Sequence, residues 1–171
     1  SGAGIGDRVF VTGTIGDGGL GLLARQQRLD LPRADQDFVE QRYLRPEPRV
    51  SAATVIAEYA SAAMDVSDGL FADAGHISTA SGIDVVIAMA DVPLSDAARN
   101  WLAHEADPDE ARQKLLSAGD DYELLLTVPE DRVQEFIEAS QELGVPVSRL
   151  GRVLSEDVST GGVVVTARGD V

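Results

Sequence analysis

Residues 30–50 are polar and carry Pro32, Pro46 and Pro48, and this segment decides which folds are open to the chain. A proline inside a helix removes a backbone hydrogen bond and clashes with the preceding turn. No single regular helix can cover the segment. A short helix near residues 35–43, then an extended Pro-containing stretch, is expected instead. The segment also holds no hydrophobic strand, and this bears on what precedes it. Residues 8–12 (Arg-Val-Phe-Val-Thr) form a β-rich run ending at Gly13. Gly16, Gly18 and Gly21 then satisfy G-x-G-x-x-G before a helical run at 20–28. A dinucleotide-binding fold needs a second strand soon after that helix, with an acid at its end. None is present, so the glycines are read as a tight turn with close strand–helix packing. Anion binding at the helix N-terminus stays open, opposed by Asp17 unless a cation intervenes.

The rest of the chain mixes helices and strands. Residues 51–63 have apolar residues at helical spacing, with Ser51 as an N-cap. An Asp-rich turn leads into a helix at about 69–81, stopped by Gly82. A strand is expected at 83–88, helices at 95–104 and 108–116, and a strand at 122–128 ended by Pro129. Residues 130–143 form an amphipathic helix with Val133, Phe136, Ile137 and Leu143 on one face, closed by Gly144. Strands at 147–154 and 163–167 finish the chain. There is no repeat, no low-complexity linker and no strict β-α alternation. The expected class is α+β, a mixed β-sheet packed with helices.

The 171 residues, 44% of them hydrophobic, suffice for one domain with a real core. The net charge of −15 argues against nonspecific nucleic-acid binding and against anionic membrane surfaces. Without cysteine there is no disulfide framework and no thiolate metal site, and two histidines do not make a His-rich zinc site. No apolar run has membrane-spanning length and no signal-peptide pattern opens the sequence. A cytoplasmic protein is expected.

Three clusters bear on chemistry. In Met64-Asp65-Val66-Ser67-Asp68-Gly69-Leu70, two carboxylates flank a hydroxyl beside a flexible glycine. Mg²⁺ takes oxygen ligands, usually one or two carboxylates plus phosphate and water, so this stretch can hold a hard cation and orient a phosphate. Equally, Ser67 or Asp68 can N-cap the following helix. In Arg45-Pro46-Glu47-Pro48-Arg49, the prolines either present Arg45 or Arg49 in fixed geometry or build a rigid connector whose arginines pair with nearby acids. In Gly119-Asp120-Asp121-Tyr122-Glu123-Leu124, Asp120 and Asp121 lie at a strand mouth, as a turn or as a site. Alternation puts Tyr122, Leu124 and Leu126 on one face, with Glu123 and Leu125 on the other. His76 reads as a structural hydrogen bonder and Trp101 as a packing or surface anchor. No residue stands out as a nucleophile or general base.

Taken together, these segments carry a resemblance. The opening Gly6-Asp7-Arg8-Val9-Phe10-Val11-Thr12-Gly13-Thr14-Ile15-Gly16-Asp17, the Arg45–Arg49 and Met64–Leu70 clusters, Gly75-His76-Ile77 and the Gly119–Leu124 cluster occur in an order that resembles the thiamine-monophosphate kinases of the aminoimidazole-ribotide synthetase-related superfamily. The resemblance implies that residues 1–171 form a single C-terminal domain and that the family's N-terminal ATP and Mg²⁺ domain lies outside this chain. An ATP-contacting arginine just before Ser1 and an aromatic tail after Val171 would lie outside it too. The implied activity is ATP-dependent phosphorylation of thiamine monophosphate to thiamine diphosphate, with Mg²⁺. Asp65 and Asp68 match metal-ligand positions, Ser67 a nucleotide-contacting position, and Asp120 an acidic substrate-contacting position that is often Glu. The full-length protein is expected to be a homodimer, with neither nucleic acid nor membrane as partner. Two alternatives remain: another ATP-using enzyme of the superfamily with a different acceptor, or a folded domain inactive in isolation.

Overall fold

A computed structural model of the protein describes residues 2–155 and 162–167. In chain order the elements are β1 (Arg8–Thr12), α1 (Asp17–Arg25), α2 (Arg33–Leu44), α3 (Ala53–Tyr59), β2 (Ala62–Asp65), α4 (Leu70–Ser81), β3 (Asp84–Ala88), α5 (Asp96–Leu102), α6 (Pro108–Leu116), β4 (Leu124–Val128), α7 (Val133–Glu142), β5 (Val147–Leu154) and β6 (Val163–Thr166). Among the described residues the strands form one sheet in the order β2-β4-β1-β5-β3-β6. All neighbours are antiparallel except β3 and β6, which run parallel. The α+β class with a mixed sheet is as expected.

Alternation along the central strands divides the core between the two sheet faces. Val9 and Val11 of β1 and Leu125 of β4 enter the larger core, with Leu20, Val39, Leu70, Ile77, Ala98 and Leu116 from the helices on that side. Phe10 of β1, with Leu126 and Val128 of β4, points the other way, against Val55 of α3 and Phe136 of α7. The Phe10 and Phe136 rings meet edge-on, with centroids 5.1 Å apart. The sheet is therefore a middle layer between two layers of helices.

Several local expectations hold. Gly82 ends α4 in the left-handed region, its N–H donating to the Ser78 carbonyl at 2.9 Å. The helix expected at 108–116 is α6, and the structure adds its cap, Asp107, which accepts from Glu110 N at 3.0 Å, with Pro108 at the first helical position. Others are corrected. The helix expected over 51–63 is a 3₁₀ turn at Val50–Ala52 and then α3, and Ser51 makes no capping bond. Ala62–Asp65 leaves the helix altogether and becomes the edge strand β2. The strand expected at 122–128 starts at Leu124. Neither Ser67 nor Asp68 caps α4: the cap position is Gly69, without a side-chain bond. Among the described residues no helix is long and apolar enough to cross a membrane.

Candidate functional site

The antiparallel pairing of β2 with β4 sets Asp65 opposite Leu124 and brings the segment after β2 beside the segment before β4. The backbone pairing continues past both strands. Val66 N donates to the Glu123 carbonyl at 2.7 Å, Tyr122 N to the Val66 carbonyl at 2.8 Å, and Asp120 N to the Ser67 carbonyl at 3.0 Å. The contact is close enough that a Cβ on Gly119 would fall 2.1 Å from the Ser67 carbonyl oxygen. Asp65, Ser67 and Asp68 thus share one mouth with Asp120, which the sequence separates by more than fifty positions.

Asp73, on the first turn of α4, organises the Asp-rich loop. It is 1% exposed, and its Oδ2 accepts the backbone N–H of Ser67 at 2.9 Å and of Asp68 at 3.1 Å. The side chains of Asp65 and Asp68 remain exposed at the surface. Ligand atoms of Asp68, Asp73 and His76 lie within 4.8 Å of one another. That group does not include Asp65, whose charge acts instead, with that of Asp120, on the Tyr122 phenol. Asp120 does so most strongly, and together with its hydrogen bond they hold that phenol above its ordinary pKa.

Beneath the mouth lies a buried charge cluster. Glu123 has 0% exposure and accepts four hydrogen bonds: from Thr12 Oγ1 at 2.6 Å, Arg42 Nη2 at 2.6 Å, Arg49 Nε at 2.7 Å and Arg49 Nη2 at 2.6 Å. Burial pushes its pKa up, but the bonds from Arg49 and Thr12 and the two guanidinium charges outweigh it, leaving the carboxyl below the usual range. Gly13, with φ +57°, makes room for this cluster, because a Cβ there would meet the Glu123 carboxylate at 2.1 Å. The choice at residues 45–49 is thereby divided. Arg49 turns inward to Glu123 and also pairs with Glu47 at 3.1 Å, whereas Arg45 is exposed.

The glycine cluster is explained by a second buried acid. Asp121 is buried, and its carboxylate accepts from Gly16 N at 2.8 Å and Gly18 N at 2.9 Å. The N–H groups at the N-terminus of α1 are therefore taken up by this protein's own carboxyl group. Burial raises Asp121 from the ordinary 3.8 to about 7, with the Gly18 and Gly16 N–H groups opposing. Asp17, also buried, accepts from Thr14 at 2.6 Å and Ser95 at 2.5 Å. Burial raises its pKa too, against those bonds and the Arg42 charge.

This site can gather cations at its surface, through Asp65, Asp68 and Asp120, while holding its loops rigidly from below. Glu123, Asp73 and Tyr122 were not singled out from the sequence. The signal for Glu123 is an acid at an inward position of a strand entry, where a buried charge needs a partner.

Residues 4–164 match the family model described as AIR synthase related protein, C-terminal domain. The chain belongs to this family. Within the AIR synthase related proteins it is similar to the thiamine-monophosphate kinase of Caulobacter vibrioides, 45% identical over 92% of this chain and 44% of that protein. The thiamine-monophosphate kinase of Stenotrophomonas maltophilia K279a has a similar structure, with TM-score 0.83 at 36% identity, covering 97% of this chain and 52% of that one. A solved complex of AaThiL with AMPPCP and TMP gives TM-score 0.80 at 33% identity, over 100% of this chain and 51% of that one. The chain thus spans about half the length of the AIR synthase related relatives it matches.

Proposed function

We propose that this chain is the C-terminal domain of a thiamine-monophosphate kinase, an enzyme that transfers the ATP γ-phosphoryl group to the phosphate of thiamine monophosphate. In this reading residues 1–171 are one domain, the N-terminal domain with the rest of the ATP and Mg²⁺ shell lies outside the chain, and the full-length protein is a cytoplasmic homodimer. The observation that carries it is the pairing of the 65–69 loop with the 119–123 loop, which sets three acids and a serine around one mouth, in a chain similar to kinases of that name.

The acceptor is already a phosphate anion, so no strong general base is required. The difficulty is repulsion between two polyanions, and catalysis rests on positioning and charge neutralisation. Asp65 and Asp68 would hold Mg²⁺, which would supply that neutralisation. Asp65 and Asp68 fit a hard cation: both are exposed oxygen donors, and among the described residues neither side chain accepts a hydrogen bond or pairs with a cation. Asp73 holds the backbone under Asp68, so that its carboxylate need not reorganise. Ser67 contacts the nucleotide and Asp120 the thiamine monophosphate. Thr12, Arg42, Arg49 and Glu123 keep the two loops in register.

The intact protein, incubated with ATP, Mg²⁺ and thiamine monophosphate, should form thiamine diphosphate. The 171 residues alone should form none. ATP-dependent phosphorylation of a different acceptor, with thiamine monophosphate left unchanged, would assign the protein to another activity of the superfamily.

A further inference from the structure

Tyr122 is an aromatic ring kept out of the core on a strained backbone. Its φ is +51°, and it is 41% exposed. Among the described residues only Gln27, Asp120 and Tyr122 are non-glycine residues with positive φ. A bulky side chain in the left-handed region is a steric outlier, which persists only where its surroundings over-determine it. Here they do. Tyr122 N is bonded to the Val66 carbonyl at 2.8 Å. The residue before it is held inward by Gly16 and Gly18, and the residue after it by Thr12, Arg42 and Arg49.

With 121 and 123 fixed inward, residues 120 and 122 turn outward together. The Tyr122 hydroxyl lies 3.3 Å from Asp120 Oδ1, and Asp65 and Tyr43 are close enough to act on the same phenol. An exposed aromatic ring bonded through its hydroxyl to a carboxylate attracts an organic cation, because the ring quadrupole and the carboxylate charge both favour positive charge. We propose that Tyr122 is a specificity-determining residue which, with Asp120, receives the positively charged heteroaromatic ring of the acceptor. This rests on the reading of the chain as part of a thiamine-monophosphate kinase. That acceptor carries a thiazolium cation at one end and a phosphate at the other. The ring goes to Tyr122, and the phosphate to the loop of Asp65, Ser67 and Asp68.

Steady-state kinetics on the intact protein test this, with thiamine monophosphate and with its neutral analogue, in which thiophene replaces thiazolium. Asparagine tolerates the left-handed region, so Tyr122→Asn removes the ring while easing the backbone, and its melting temperature should equal or exceed that of the unmodified protein. Tyr122→Asn should raise the KM for thiamine monophosphate about 10-fold, with the KM for ATP changed by less than about 2-fold. Tyr122→Phe keeps the ring and should rescue the KM for thiamine monophosphate relative to Tyr122→Asn; a rise as large as that of Tyr122→Asn would overturn the proposal. The unmodified protein should prefer the cation over the neutral analogue by about 10-fold, and Tyr122→Asn should lose most of that preference. An unchanged KM for thiamine monophosphate in Tyr122→Asn, an equal rise in the KM for ATP, or a cation preference that survives the substitution would each overturn the proposal. Failure of the unmodified protein to phosphorylate thiamine monophosphate would instead remove the functional reading on which it rests, and the proposal with it.

Discussion

Glu123 keeps its charge with no solvent contact because three side chains satisfy its oxygens. Removing one partner of such a cluster is costlier than never building it, since the remaining charges stay buried. Glu123→Gln leaves the Arg42 and Arg49 guanidinium groups facing a neutral amide and should destabilise the fold by about 3 kcal/mol in urea denaturation. Asp121 makes a different statement. At the N-terminus of α1, the helix dipole and two N–H donors favour its anion, yet burial wins and raises its pKa to about 7. An acid whose folded pKa exceeds its unfolded value stabilises the fold while protonated. That contribution is complete below about pH 4 and is lost as the pH rises to about 7. Asp121→Asn cannot titrate, so its destabilisation relative to the unmodified protein should be larger at pH 5 than at pH 8. Denaturation at the two pH values measures the difference, and an equal penalty at both would show that Asp121 does not titrate in this range.

Between the two loops of the site, Gly119 approaches the Ser67 carbonyl too closely to admit a Cβ. Gly119→Ala should force the two loops apart and lower turnover of the intact protein at least 10-fold, with circular dichroism unchanged because β2 and β4 pair beyond the distortion. The sequence made most elements legible, since Arg8–Thr12, Leu70–Ser81 and Pro108–Leu116 carry their own periodicity and caps. It hid β2. Ala62, Ala63 and Met64 have high helix propensity, and they form a strand only because Thr127, Leu126 and Leu125 of β4 lie alongside them. The candidate site was legible in the same partial way. Asp65, Ser67, Asp68 and Asp120 stand out as acids and a hydroxyl beside glycines. Asp73 and Glu123 do not, because their roles consist of contacts with the backbone of Ser67 and Asp68 and with Arg42 and Arg49, which only the folded chain brings near.

At the scale of the molecule, a sheet with helices on both faces delivers one exposed mouth, where the ends of β2 and β4 meet. Asp65, Asp68 and Asp120 stand at its rim, and Arg42 and Arg49 pair underneath with Glu123. The chain covers about half the length of the relatives it matches. We propose that the Asp-rich loop of this chain carries the metal-dependent half of phosphoryl transfer. Its most direct test is the kcat for thiamine diphosphate formation by intact Asp65→Asn and Asp68→Asn proteins at saturating Mg²⁺ and ATP. Each should fall about 100-fold or more while the melting temperature holds; turnover close to that of the unmodified protein would contradict the claim.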